Sequence, residues 1–370
     1  MFGNRSDGRP SLGLLGLVTS LALLFCVAAN KRPADQTLRN HYPGTPIQTL
    51  SAEQLARFDE GSVLFSKMWK QEEGLGPVFN STSCANCHHL PLPGGNEIAS
   101  HTFVAHSPSC NDITKGHACG RFRIDARGQT SALSLPEDIT LRKPQSLYGL
   151  GMLEAVPSTA LLAAEKAQKT DPDRVAGRVG RTAGGEIGKF GWEAQFATLR
   201  DFASSALAIE LGLRNGPYLD DGSGGNTPEV QPVVVDRLTD FARMLAAPPL
   251  TDRGDVSKGR ALFEAIRCSA CHSPWQRSGS AEIPQLANIV FTPYTDMLLH
   301  DIGTAKSVWL RTPPLWGLNA SGPPYLHDAS AHSVAEAILR HEGQAAAAKA
   351  RYLALTLEQR RELLRFLDSI

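Results

Sequence analysis

The chain lacks an excess of charge of either sign. Lysine plus arginine and aspartate plus glutamate both total 37, so the formal net charge is zero. A nucleic-acid binder carries a basic surplus to meet phosphates, and its absence argues against that class of function. Strand-like alternation of apolar and polar residues is also scarce, so a mainly α-helical fold is expected. What is present is ordinary globular material. Hydrophobic residues make up 42 % of 370 residues, enough for a sizeable core and for two compact domains.

The N-terminus carries no charge from Leu12 to Ala29, after Arg5 and Arg9. That is the pattern of an export signal, and Val27 and Ala29 suit small-residue cleavage. Residues 1–29 are therefore read as a signal peptide. A run of this length could instead stay in the membrane as an anchor, so membrane association is expected only if the segment is uncleaved. Cys26 follows bulky Phe25, a poor context for lipoprotein processing, and is read as part of the leader. The expected location is the periplasm or outside a bacterial cell.

Six of the seven cysteines remain. Cys110 and Cys119 are an even pair, and in an oxidising compartment they are a disulfide candidate, with two free thiols as the alternative. The other four form two copies of one motif. "STSCANCHH" holds Cys84, Cys87 and His88, and "RCSACHS" holds Cys268, Cys271 and His272. One helical turn spaces two sulfurs to meet the two vinyl groups of a haem. The following histidine then lies under the ring and ligates iron. Zinc normally wants its second cysteine pair close by, whereas these pairs lie far apart and each has its own histidine. A thioredoxin-like pair wants a preceding strand, and neither copy has a convincing one. Two covalently attached haems c are expected.

The motifs sit in matching surroundings. "GSVLF" (61–65) precedes the first and "GRALF" (259–263) the second, both in helical stretches with Leu64–Phe65 and Leu262–Phe263 ready to pack on a ring. Val234, Leu238, Phe241 and Leu245 mark a closing helix in the first half. Thr356 and Gln359 form a capping-box pattern before an apolar face of Leu363, Leu364, Phe366, Leu367 and Ile370 in the second. "AAPPLTDRG" reads as the linker between them. The expected organisation is two cytochrome c-like domains, residues 30–247 with insertions and residues 248–370, each with one haem.

The far face of each iron decides what it does. A second strong ligand makes an electron carrier, and an open face makes a site for peroxide or oxygen. In "SAHSVAEAILRHEG", Ser333 and Glu336 start a helix that puts His341 on the face of Val334, Ala337 and Ile338. His341 is either a core histidine satisfied by a neighbour or the second ligand of the C-terminal iron; the haem in the same module favours ligation. For the N-terminal haem, His101, His106 and His117 are all candidates, and the sequence does not choose. In "TLRDFASSALAIELGL", Leu199, Phe202, Ala203, Ala206, Ile209 and Leu213 form a stripe that contains Glu210. An inward carboxyl loses hydration, its pKa rises, and it can relay a proton during O–O cleavage; the alternative is a carboxylate held by an arginine or a backbone amide. Trp192 in "KFGWEAQ" is a core aromatic unless two haems exchange electrons across it.

With these residues in hand, the chain resembles the bacterial di-haem cytochrome c peroxidase superfamily, and within it the di-haem oxidoreductase branch. The resemblance runs from about Gly61 to Ile370 and rests on "GLGPVFNSTSCANCHH", "RKPQSLYGLGMLEAVP", "GRVGR…IGKFGWEAQFATL", "PYTDMLLHDIG", "LRTPPLWGL" and "PPYLHDASAHSVAEAILRHEG". It implies a peroxide site at the haem of Cys84, Cys87 and His88 and an electron-accepting site at the haem of Cys268, Cys271 and His272. It matches Trp192 to the tryptophan between the haems and Glu210 to the distal acid–base glutamate. Two departures stand out. The peroxidases place a methionine where this chain has His341. Of their inter-haem calcium site, Thr312 and Pro314 match carbonyl contributors, but the expected asparagine is replaced around Tyr148–Gly149. The resemblance implies an enzyme reducing hydrogen peroxide with electrons from a small c-type cytochrome or cupredoxin. A di-haem oxidase modifying a protein or organic substrate, and a non-catalytic di-haem electron carrier, are the alternatives.

Overall fold

Two helix crossings of the same construction frame the fold. Helix α1 (Ala52–Ser66) packs on a helix at Pro232–Met244, and a helix at Ser257–Ala265 packs on one at Leu357–Leu367. At each crossing a glycine lets the backbones meet. A Cβ on Gly61 would lie 2.1 Å from the Arg237 carbonyl oxygen, and one on Gly259 would lie 2.1 Å from that of Glu362. Four residues on, a phenylalanine fills the angle: Phe65 meets Phe241 at 4.7 Å between ring centres, and Phe263 meets Phe366 at 5.5 Å. All four rings are buried, each contributing on the order of 2 kcal/mol. The sequence repeat of 61–65 and 259–263 is thus a repeat of packing.

The structure is a computed structural model that describes residues 34–89, 92–95, 104–106, 121–133, 140–219, 225–303 and 308–370. The leader with Cys26, and His101, His117, Cys110 and Cys119, lie outside the described residues, and of His106 only the backbone is described. Within the first crossing, between α1 and the helix it meets, run α2 (Leu150–Glu154), α3 (Ser158–Gln168) and α4 (Leu199–Leu211); the framing helices at Pro232–Met244 and Ser257–Ala265 are α5 and α6. Then come α7 (Leu318–Ser321), α8 (Val334–Leu339), α9 (Ala346–Ala354) and the closing α10 (Leu357–Leu367). Strands among the described residues are two or three residues long and pair in small antiparallel sheets. The fold is mostly helical, with small sheets as staples.

Caps set the helix starts where the sequence places them. Thr356 and Gln359 form the full capping box of α10, and the Ser333 side chain accepts from the Glu336 backbone N–H at the start of α8. Two expectations need correction. Helix α8 ends at Leu339, so His341 lies just beyond it, and its N–H still bonds to the Ile338 carbonyl at 3.2 Å. Helix α4 is enclosed around most of its girth: Leu199, Ser204, Ser205, Leu207 and Leu211 are buried, and only Arg200 and Asp201 are exposed. Its inward face is wider than the stripe read from hydrophobicity, because two serines are buried with it. The Ser204 hydroxyl bonds to Asn215, whose own amide donates to the Ser204 carbonyl at 3.0 Å.

The segment read as a linker is tied down at its start. Ala246 and Ala247 are buried, and their N–H groups donate to the Thr45 and Leu38 carbonyls at 3.0 and 2.9 Å. Arg39 reaches the Pro248 carbonyl at 2.8 Å. The same N-terminal strap continues onto Val290 and Thr292: Gln36 N–H donates to the Val290 carbonyl at 2.7 Å, and Thr292 N–H to the Thr37 hydroxyl at 2.8 Å. Asp35–Ile370 accordingly form one compact unit. Its larger hydrophobic core takes Phe241, Met244 and Leu245 together with Ile283, Phe291, Met297 and Trp316, from both sides of the linker. A smaller one gathers Phe263, Tyr294, Tyr352 and Phe366 under the second motif.

Candidate functional site

The first cysteine motif is a single tight turn at the end of α1. Cys84–Asn86 coil once, and the N–H groups of Cys87 and His88 both reach the Cys84 carbonyl at 3.1 Å. Ser83, buried, anchors the turn by donating its hydroxyl to the Phe65 carbonyl at 3.2 Å. The second motif repeats the turn at Cys268–Ala270, with His272 N–H on the Cys268 carbonyl at 3.0 Å. All four cysteines are free thiols. Burial pushes Cys84 and Cys268 up to about 12. A redox-active Cys-x-x-Cys pair depends on the opposite shift, toward thiolate. These are protonated sulfurs, suited to forming thioethers.

The histidines are held in the form that could ligate a metal. His88 Nδ1 lies 3.0 Å from the Gly95 carbonyl, His272 Nδ1 3.1 Å from that of Tyr294, and His341 Nδ1 2.6 Å from that of Ala337. A carbonyl only accepts, so each Nδ1 carries the hydrogen and each Nε2 carries a lone pair. Burial lowers all three pKa values, His272 to about 4 with help from neighbouring His341. Neutral imidazole is the ligating form. The Tyr294 carbonyl is aimed by a left-handed backbone, φ 56°, which a tyrosine adopts only where the surroundings hold it.

His272 and His341 line one cavity of about 280 Å3 with Cys268, Cys271 and Phe263. Lined by both thiols, both imidazoles and apolar side chains, it would hold a haem, with Cys268 and Cys271 to anchor it and His272 and His341 to offer nitrogens to iron. Trp192 lines the same cavity. Its indole N–H donates to the Lys143 carbonyl at 2.9 Å, and its own carbonyl accepts from Arg311 N–H at 2.7 Å. Two residues beyond Lys143, the Gln145 carbonyl faces the His88 ring of the first site and its side chain lines the second cavity. The segment 143–145 therefore touches both sites, with Trp192 held against it.

Glu210 lies at the end of α4 beside the first motif. Burial lifts its carboxyl to about 7, against the pull of a hydrogen bond from Asn80 Nδ2 to Oε2 at 2.9 Å. Asn80 cannot be turned round: its Oδ1 accepts from the Arg121 N–H at 3.1 Å, and its own N–H donates to the Glu210 backbone carbonyl at 2.7 Å. The carboxyl is near enough to Cys84 to raise that thiol further. The partner this carboxyl has is the side-chain amide of Asn80, not an arginine or a backbone amide, and burial still raises it toward neutrality.

At the residues matched to a calcium site, one carbonyl already has partners. The Thr312 carbonyl accepts the Thr295 hydroxyl at 2.6 Å, and the Arg311 guanidinium lies beside it, 3.5 Å away. A second cation there would meet a buried positive charge.

Residues 125–370 match the family described as "Di-haem oxidoreductase, putative peroxidase". The chain belongs to the di-haem oxidoreductase family. The match takes in Trp192, Glu210, the second motif and His341, and begins after the first motif. Among solved structures, this di-haem oxidoreductase is similar to the hydrazine synthase of Kuenenia stuttgartiensis, at 12 % identity over 98 % of this chain and 100 % of that one, with a TM-score of 0.46. It is similar to a MauG-like protein associated with microbial copper homeostasis, at 15 % over 91 % and 94 %, TM-score 0.42. It is also similar to the diheme peroxidase BthA from Burkholderia thailandensis, at 14 % over 91 % and 90 %, TM-score 0.33. These likenesses are distant. No curated protein matches the chain.

Two residues of this di-haem oxidoreductase escape a reading of the sequence. Asn80 precedes Cys84 by four, which is its only local signal. His300, buried, bonds through Nε2 to Asp296 at 2.8 Å and through Nδ1 to Gln344 at 2.9 Å, beside the Cys271 sulfur. Burial alone would lower it, but these partners outweigh burial and raise it to about 11. The clue was "DMLLH", which puts Asp296 and His300 four apart.

Proposed function

We propose that this di-haem oxidoreductase is an exported enzyme that reduces hydrogen peroxide with electrons from a small c-type cytochrome or cupredoxin. Each of residues 30–247 and 248–370 carries one haem c, held by Cys84 and Cys87 over His88 and by Cys268 and Cys271 over His272. Among the described residues no helix is long and apolar enough to cross a membrane. The haems would supply the redox chemistry that side chains lack.

The reading is carried by Glu210, a carboxyl pushed to about 7 beside the first motif. Peroxide, two electrons and two protons give two waters. Glu210 takes the proton from the inner oxygen and returns it to the leaving one, and Asn80 holds the carboxylate oxygen in place meanwhile. Because the carboxyl titrates near neutrality, it is effective in both directions. At the second site His341 and His272 offer two neutral nitrogens, which suits an electron carrier with a low potential. Trp192, held against the segment that touches both sites, passes electrons from the second site to the first.

The test is a pyridine haemochrome assay, EPR of the oxidised protein and stopped-flow mixing with peroxide. Two haems per chain, one of which reacts rapidly with peroxide and then draws electrons from reduced cytochrome, are expected. Two permanently six-coordinate centres indifferent to peroxide would leave an electron carrier instead.

A further inference from the structure

One wall of the second cavity is unexplained by that chemistry. Arg311 is 2 % exposed, yet its N–H groups reach only neutral oxygens: the Gly191 carbonyl at 3.2 Å, the Thr312 carbonyl at 3.5 Å and Gln145 Oε1 at 2.8 Å. No carboxylate pairs with it among the described residues. Leaving a buried charge uncompensated is strongly destabilising, and burial drags this guanidinium down to about 10. Because Gln145 gives its oxygen to Arg311, its amide nitrogen is fixed on the other side, where it is buried with no hydrogen-bond partner. His327 Nδ1 is likewise buried and unpartnered.

Arg311, Gln145 and His327 all line the cavity that holds the second motif. They are tied to one another: His327 stands edge-on to Trp192, 6.2 Å between ring centres, and the Trp192 carbonyl accepts from Arg311 N–H. Buried polar atoms without partners are rare in native proteins. Three groups able to donate, one of them a full cation, on one cavity wall call for an anion with several acceptor oxygens. Guanidinium and amide N–H groups match a carboxylate.

We propose that Arg311, Gln145 and His327 seat the propionate carboxylates of the haem held by Cys268 and Cys271. This rests on the haem reading above. The guanidinium then has its counter-ion, the two orphaned nitrogens have acceptors, and the haem edge is held against Trp192. A small free carboxylate entering the cavity would have the same chemistry, so the experiment separates the two sources.

Holoprotein of wild type, Arg311→Gln, Arg311→Lys and Gln145→Leu is compared by haemochrome assay, by the propionate bending band in resonance Raman spectra and by the midpoint potential of the C-terminal haem. Arg311→Gln is expected to shift the band and lower the potential, since a positive charge favours the reduced haem. Arg311→Lys should restore most of the potential. Gln145→Leu, which keeps the guanidinium, should shift the band alone and serves if Arg311→Gln fails to fold. An unchanged band in both Arg311→Gln and Gln145→Leu, with two haems present, overturns the seat while leaving the haem reading intact. A saturable spectral response of wild type to added acetate overturns it in favour of a free carboxylate. Wild type without haem would overturn the reading beneath it.

Discussion

Replacing Glu210 with glutamine tests the acid–base assignment on two independent scales. The carboxyl has an ordinary value of 4.5 and is raised by burial to about 7 in the fold. The folded protein therefore binds this proton more tightly than the unfolded chain does. Ionising Glu210 costs stability, and the cost grows as pH rises from 4.5, becoming complete above about 7. Two and a half units correspond to about 3 kcal/mol, an upper figure because the side chain is not wholly enclosed. Glutamine is neutral at every pH and keeps an oxygen for the Asn80 amide. Glu210→Gln should thus be more stable than wild type at pH 8, by up to about 3 kcal/mol or roughly 5 °C in Tm, and equal to it at pH 4. Activity should move the opposite way. General base catalysis needs the ionised form, so the wild-type rate with peroxide should rise through about pH 7 and level off. The variant should be slower by about 100- to 10,000-fold, with that inflection gone. Stopped-flow mixing across pH 5–9 and thermal melts at the two pH values give both answers. A variant that reacts as fast as wild type with the same pH profile refutes the assignment. Equal melting at pH 8 refutes the buried carboxyl.

Other outcomes are equally specific. Asn80→Leu removes the hydrogen bond that pulls Glu210 down, so the inflection should move to higher pH in the same assay. The pair Cys268→Ala and Cys271→Ala should reduce the haemochrome yield from two haems per chain to one. His341→Met should raise the midpoint potential of the C-terminal haem and change its low-spin EPR signal; no change in either would remove His341 from the iron. Gly259→Ala drives a methyl into the Glu362 carbonyl and should cost about 1–3 kcal/mol by thermal melt. Gly216→Ala, whose methyl would meet nothing within 4 Å, is the neutral control.

Local signals in this chain were reliable where the physics is local. Thr356 and Gln359 announce α10 because a capping box is made within four residues, and the cysteine motifs announce their turns for the same reason. His341 could be read from periodicity although its helix stops at Leu339, since the next turn continues nearly in phase. Burial around α4 was harder: Ser204 and Ser205 look like a solvent face until Asn215 folds back onto Ser204. Pro, Gly and charge made "AAPPLTDRG" look loose, yet Ala246 and Ala247 are clasped by a strap some two hundred residues upstream. Asn80 against Glu210 and Gln145 against Arg311 each join residues more than a hundred positions apart, which no local pattern encodes.

The twin glycine crossings show what distinguishes the two halves. From the end of α1 to the start of α5 the chain runs nearly twice as far as from the end of α6 to the start of α10. Lengthening a closed loop by that factor costs only on the order of 0.5 kcal/mol. The extra length contains α4, and with it Glu210. The glycine crossing beside each cysteine motif is held in common, and the segment that carries Glu210 belongs to one copy.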